Sequence, residues 1–75
     1  MKSNVCHEFG ARIKQLRQAK GLSQEQLADI AELDRTYISG IERGIRNVGL
    51  VNIDKLANAL QITLAELFRF ERMQP

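Results

Sequence analysis

Seventy-five residues, 44% of them apolar, leave room for one small domain (1–75) whose core is thin enough to need a helper. Cys6 is the only cysteine and His7 the only histidine, which excludes an internal disulfide and a Cys/His metal site and leaves self-association as the helper. The formal net charge is +2, no apolar run reaches the roughly 18 residues that span a bilayer, and MKSNVCHEF lacks the shape of a signal peptide; the expected setting is a reducing cytoplasm with no membrane partner.

Apolar spacing predicts five helices and no strand. The first covers about 5–20, with Phe9, Ile13 and Leu16 on one face and Gly21 placed as a left-handed cap. The second, about 24–31, opens on the capping box Ser23-Gln24-Glu25-Gln26 and turns Leu27, Ala28 and Ala31 inward. Asp34 is the N-cap of a third, about 35–43, which buries Ile38 and Ile41 and ends at Gly44. A loop over 45–49 leads to a fourth, about 50–60, carrying Ile53, Leu56, Ala57 and Leu60. A second capping box, Thr63 to Glu66, opens a fifth, about 64–70, and the tail ERMQP is expected to fray. The fold class is all-α.

Charge is unevenly spread. Residues 9–22 hold Arg12, Lys14, Arg17 and Lys20 with no acid among them, whereas 50–68 hold Asp54 and Glu66 against Lys55. One end is therefore expected to present a positive face, which a dimer would double.

The informative string is SQEQLADIAELDRTYISGIERG, 23–44. Two short helices separated by Glu32, Leu33 and a cap must cross at a large angle, meeting through a small residue, Ala28. That is the pattern of a helix-turn-helix, whose second helix protrudes far enough to enter the major groove of double-stranded DNA. The exposed face of that helix reads Arg35, Thr36, Ser39, Gly40 and Arg43. An arginine at the helix start can grip guanine O6 and N7 with two hydrogen bonds, and Thr36 offers a hydroxyl or a methyl, with Ser39 one turn on. Gly40 reads either as a close approach to DNA or to another helix, or as an unconstrained surface position. Tyr37 suits a phosphate or packing against the end of the first helix. Gln24 suits a phosphate clamp at a helix N-terminus, or simple capping polarity. Arg43, Arg46 and Asn47 extend the basic surface into the loop, as flexible phosphate contacts or as solvated charges.

Residues 9–68 resemble the lambda-repressor-like, Cro-type helix-turn-helix domain, and LDRTYISGIERGIRNVGLVNIDKLANAL (33–60) resembles the controller proteins of restriction–modification systems. The resemblance implies base reading by Arg35, with Thr36 and Ser39 beside it. It implies backbone or groove-edge contacts by Gln24, Tyr37, Arg43, Arg46 and Asn47. It implies a structural ion pair between Arg17 and Glu42, which would withdraw Arg17 from DNA. It also implies pairing through the C-terminal helices, where apolar residues exceed what one face needs, with Val51, Leu64 and Phe68 as the candidate interface. A two-fold dimer would set two recognition helices roughly 34 Å apart on a pseudo-palindrome. Six or so engaged phosphates would give a salt slope of about −5. The controller likeness further implies two dimers on adjacent sites, activation followed by self-repression, and RNA polymerase as a further candidate partner. No cofactor is implied.

One departure stands out. The turn commonly carries glycine where this chain has Glu32; a positive φ there would cost a non-glycine residue roughly 1–2 kcal/mol. Other readings predict different features. A phage or plasmid repressor or an antitoxin would share the fold and differ in its neighbouring gene. A protein-binding helix-turn-helix would have an uncharged third helix. An enzyme would need paired carboxylates or a nucleophile–base set, and adjacent Cys6 and His7 point to different helix faces.

Overall fold

The computed structural model describes residues 4–70, so the tail expected to fray at 71–75 lies outside the described residues. Among the described residues there are five helices and no strand: α1 Val5–Ala19, α2 Gln24–Ala31, α3 Arg35–Glu42, α4 Leu50–Ala59 and α5 Leu64–Leu67. Each begins and ends within one or two residues of the apolar pattern except α5. That helix stops after a single turn, at Leu67, instead of reaching 70, because Phe68 turns away to set its ring 5.6 Å from that of Phe9.

Four of the helix ends close in one way. Gly21, Glu32, Gly44 and Gln61 take φ of 70°, 58°, 78° and 60°, and the residue after each donates its N–H five residues back: Leu22 to Arg17, Leu33 to Ala28, Ile45 to Gly40 and Ile62 to Ala57. These are Schellman closures. Two use glycine, for which the left-handed region is free. Glu32 and Gln61 carry a side chain there, and the apolar and capping patterns give no sign of the second of these strained positions. The closures make the α2–α3 and α4–α5 links short and stiff. Ser23 accepts from the Gln26 N–H while Gln26 reaches back to the Ser23 N–H, and Thr63 accepts from the Glu66 N–H.

The core is built from Ile13 of α1, Leu27 of α2, Ile38 and Ile41 of α3, Leu56 of α4, Leu60 at its cap and Leu67 of α5, all of them fully buried. Leu27 and Ala28 of α2 and Ile38 and Ile41 of α3 are buried in one cluster, as the spacing predicts. A close backbone approach lies elsewhere, between α1 and α3. At Gly10 of α1, a Cβ would stand 2.1 Å from the Ile41 carbonyl oxygen, backbone against backbone. Glycine at position 10 is what lets α1 lie directly on α3, and through that contact the long first helix sets the height of the third.

Candidate nucleic-acid interface

α3 has two faces. Ile38 and Ile41 are fully buried, while Arg35 and Thr36 are exposed, Ser39 is half-buried and Arg43 is exposed one turn later. Positions 35, 39 and 43 follow at intervals of four, so their side chains rise from one stripe opposite the core. Asp34 caps the helix by accepting from the Thr36 N–H at 3.0 Å and from the Thr36 hydroxyl. Those two bonds, the hydroxyl first, hold the Asp34 carboxyl below the usual carboxylate range, so the cap is charged at neutral pH. The Thr36 hydroxyl is thus engaged with the Asp34 cap at the exposed start of α3.

Behind this stripe lies a rigid link. Arg17 donates from Nε to Glu42 Oε2 at 2.6 Å and from Nη2 to Glu42 Oε1 at 3.0 Å, and its Nη1 donates to the Leu22 carbonyl at 2.7 Å. The Glu42 side chain is 3% exposed. The hydrogen bonds to Glu42 raise the Arg17 pKa above its already high ordinary value despite burial, so the guanidinium stays charged. Gln24 donates its amide to the same Glu42 Oε1 at 3.0 Å. That bond ties the start of α2 to the end of α3 and leaves one amide proton and the carbonyl oxygen of Gln24 for another partner.

Tyr37 is half-buried against the core, and its hydroxyl accepts from Asn52 Nδ2 of α4 at 3.2 Å. Arg46, exposed in the loop after α3, lies over the Tyr37 ring. Its guanidinium carbon stands 5.5 Å from the Tyr37 ring centroid, a cation–π distance, and its stem crosses Gly40 so closely that a Cβ there would meet Arg46 Cγ at 2.9 Å. Gly40 is thus neither a helix crossing nor an idle surface position; it clears a berth in which Arg46 lies along α3. Asn47 follows, exposed. Asn52 and the Gly40 berth carry no local signal in the sequence, since both depend on which elements meet.

Half of the positive face expected from 9–22 is taken up inside the protein, while Lys14 and Lys20 stay exposed. Arg17 is engaged as above, and Arg12 donates to oxygens of Glu66, Leu67 and Gln15. Lys20 reaches Gln61 Oε1 at 3.4 Å. Arg35, Arg43 and Arg46 are the exposed cations of α3 and of the loop after it.

The surplus apolar residues of the C-terminal helices divide. Leu56, Leu60 and Leu67 are buried, whereas Leu50, Val51, Leu64 and Phe68 stay exposed at 74%, 71%, 39% and 43%. Leu64 opens α5 and Phe68 caps its end four residues later; Val51 sits on the first turn of α4. Phe68 also lines a shallow hollow with Val5, Cys6, Phe9 and Ile53, which adds the exposed Val5 of α1 to the apolar surface. Cys6 opens on that hollow, while His7 lies against Gly44 at the end of α3, so the two neighbours do face different surroundings. Among the described residues, no three His, Cys, Asp or Glu gather where they could hold a metal ion, and no helix is long and apolar enough to cross a membrane.

A family profile described as helix-turn-helix matches residues 13–67. The chain is 56% identical over 67 residues to the control protein C.MunI of a Mycoplasma species, covering 88% of this chain and 90% of that one. Its fold superposes with a TM-score of 0.85 on the restriction-modification controller protein C.AhdI from Aeromonas hydrophila, 57% identical, over 88% of this chain and all of that one. It superposes with a TM-score of 0.83, at 37% identity, on the controller protein C.Esp1396I, solved as a tetramer in complex with its natural 35 base-pair operator, over 89% of this chain and 88% of that one. An exposed arginine-headed helix held by a short stiff turn, together with these likenesses, places the chain in the helix-turn-helix family, among the controller proteins of restriction–modification systems.

Proposed function

We propose that this chain is a sequence-specific transcription regulator that binds a pseudo-palindromic operator as a homodimer and controls the genes of a restriction–modification system. The reading rests above all on α3: its inner face is locked by Ile38, Ile41 and Glu42, and its outer face carries Arg35, Thr36 and Ser39 in line. A helix held so firmly from behind presents its outer stripe with little freedom, which direct readout of base edges requires.

Arg35 reads a guanine through O6 and N7, Thr36 meets a thymine methyl, and Ser39 contacts the next step. Gln24 gives its remaining amide proton to a phosphate, which fits its place on the first turn of α2. Arg43, Arg46 and Asn47 engage the backbone or groove edge beyond the recognition helix, with Tyr37 beneath Arg46 fixing its direction. Val51, Leu64 and Phe68 meet their equivalents in a second copy. Association at limited affinity makes operator occupancy depend on protein concentration, so that adjacent sites fill in turn as the regulator accumulates.

Selection of bound duplexes from random oligonucleotides, repeated with Arg35→Ala, tests the assignment. The variant is expected to lose preference at one base pair per half-site, worth about 1–3 kcal/mol of discrimination, while its thermal unfolding stays that of the parent. A uniform loss of affinity with unchanged preference would reduce Arg35 to a phosphate contact.

A further inference from the structure

Arg12 belongs to the stretch that reads as a basic face, yet its side chain is 12% exposed and lies over the end of α5. Its Nε donates to the Leu67 carbonyl at 3.2 Å and its Nη2 to the Glu66 carbonyl at 2.7 Å, with the Glu66 carboxylate at 3.4 Å. Nη1 donates to Gln15 Oε1 at 3.1 Å, which orients the guanidinium from its own helix. The contacts to Glu66 and Leu67 join residues more than fifty positions apart in the chain.

A helix of four residues has little to hold it. Nucleating one turn fixes several dihedrals for a single internal bond, and the last carbonyls of any helix lack partners within it. Arg12 gives the Leu67 carbonyl a charge-assisted donor and adds a second one to the Glu66 carbonyl, which also accepts from the Arg69 N–H. The two carbonyls it holds belong to the residues just before Phe68, and the Phe68 ring lies on Phe9, three residues before Arg12 on α1. Leu64 and Phe68, the exposed apolar residues of this segment, are therefore placed by α1 through Arg12 and Phe9.

We propose that Arg12 is a positioning residue for self-association: it clamps α5 onto α1 so that Leu64 and Phe68 are presented to a second copy of the chain. The inference rests on the homodimer of the proposed function. Arg12 bonds to nothing in α3, so its loss separates dimerisation from base reading. Lysine cannot replace it, because a single ammonium lacks the fixed fork that spans two carbonyls and an amide.

The test uses the full chain as Arg12→Met and Arg12→Lys, with sedimentation over a dilution series. Both variants are expected to raise the dimer dissociation constant about tenfold or more. A second measurement excludes a general loss of structure. Two copies are joined by a Gly/Ser linker and titrated against the duplex selected by the parent protein. The linker supplies an effective concentration on the order of millimolar, so linked Arg12→Met is expected to bind nearly as well as the linked parent. Dimerisation of the variants at the parent's concentration would overturn the proposal. So would a linked variant that loses as much operator affinity as the unlinked one, which would make Arg12 an ordinary stabilising residue. A parent that binds DNA while remaining a monomer at every concentration would instead sink the homodimer reading, and this proposal with it.

Discussion

Arginines serve two opposite purposes in this molecule. On α1, Arg12 and Arg17 turn onto oxygens of the protein itself, the one clamping α5 and the other bracing α3 through Glu42. On α3 and in the loop after it, Arg35, Arg43 and Arg46 keep their guanidinium groups at the surface. The difference comes from register. Position 17 follows Phe9 and Ile13 at intervals of four, and position 12 lies between Phe9 and Leu16 at intervals of three and four, so both arginines stand on or beside the stripe that meets the core. Positions 35, 39 and 43 stand opposite Ile38 and Ile41. A count of positive residues along the chain therefore overstates the field offered to an anion; only the charge left without an internal partner is available.

The contrast breaks most visibly at Arg17. Arg17→Met leaves Glu42 buried with only the Gln24 amide for company, and the expected loss of stability, read by urea unfolding, is on the order of 3–5 kcal/mol. The double variant Arg17→Met, Glu42→Leu is expected to recover most of that loss, because no lone charge stays inside. A single variant costing less than about 1 kcal/mol would show the pair to be no better than an exposed ion pair.

Gly10→Ala tests the contact on which the same α1–α3 brace depends. With a methyl group facing the Ile41 carbonyl at 2.1 Å, the helices must separate, and the expected cost lies at the upper end of about 1–3 kcal/mol. Operator affinity should fall with it, since α3 shifts as a body; thermal unfolding and a gel-shift titration on the same sample check both.

The smallest effects are expected at the strained turns. Glu32→Gly and Gln61→Gly each relieve a left-handed side-chain position and give back part of it as chain entropy, for a net gain of about 1 kcal/mol or less in thermal unfolding. Only one of the two should alter DNA binding. Glu32→Gly also removes a negative charge beside the recognition helix and should tighten operator binding at low salt, whereas Gln61→Gly should leave the interaction with DNA unchanged.

Much of the fold is legible in the chain alone. The capping box at Ser23, the Asp34 and Thr63 caps, and glycines at 21 and 44 are local chemistry, and they set the helix boundaries because each satisfies backbone groups within a few residues of itself; the box expected at Thr63 is only half formed, since the Glu66 carboxylate turns to Arg12 and Arg69. The outward stripe of α3 follows from its period against Ile38 and Ile41. The Arg17–Glu42 pair is reachable only through the family likeness, since twenty-five positions separate its members. The apolar pattern makes α5 three residues too long because its end is decided by Phe68 leaving for Phe9, a contact between opposite ends of the chain.

What the sequence determined by itself is thus the set of helices, their caps and their apolar faces, all consequences of short-range hydrogen bonding and a 3.6-residue period. What only the tertiary structure decided is which polar groups remain available. Arg12 was taken by the carbonyls of α5, Gln24 was shared with Glu42, and Arg46 was laid over Tyr37 in the berth of Gly40. Such partnerships join residues that are neighbours only after the core has formed, because the burial of Ile13, Ile41, Leu56 and Leu67 brings their elements together, and no local pattern in the chain encodes that meeting.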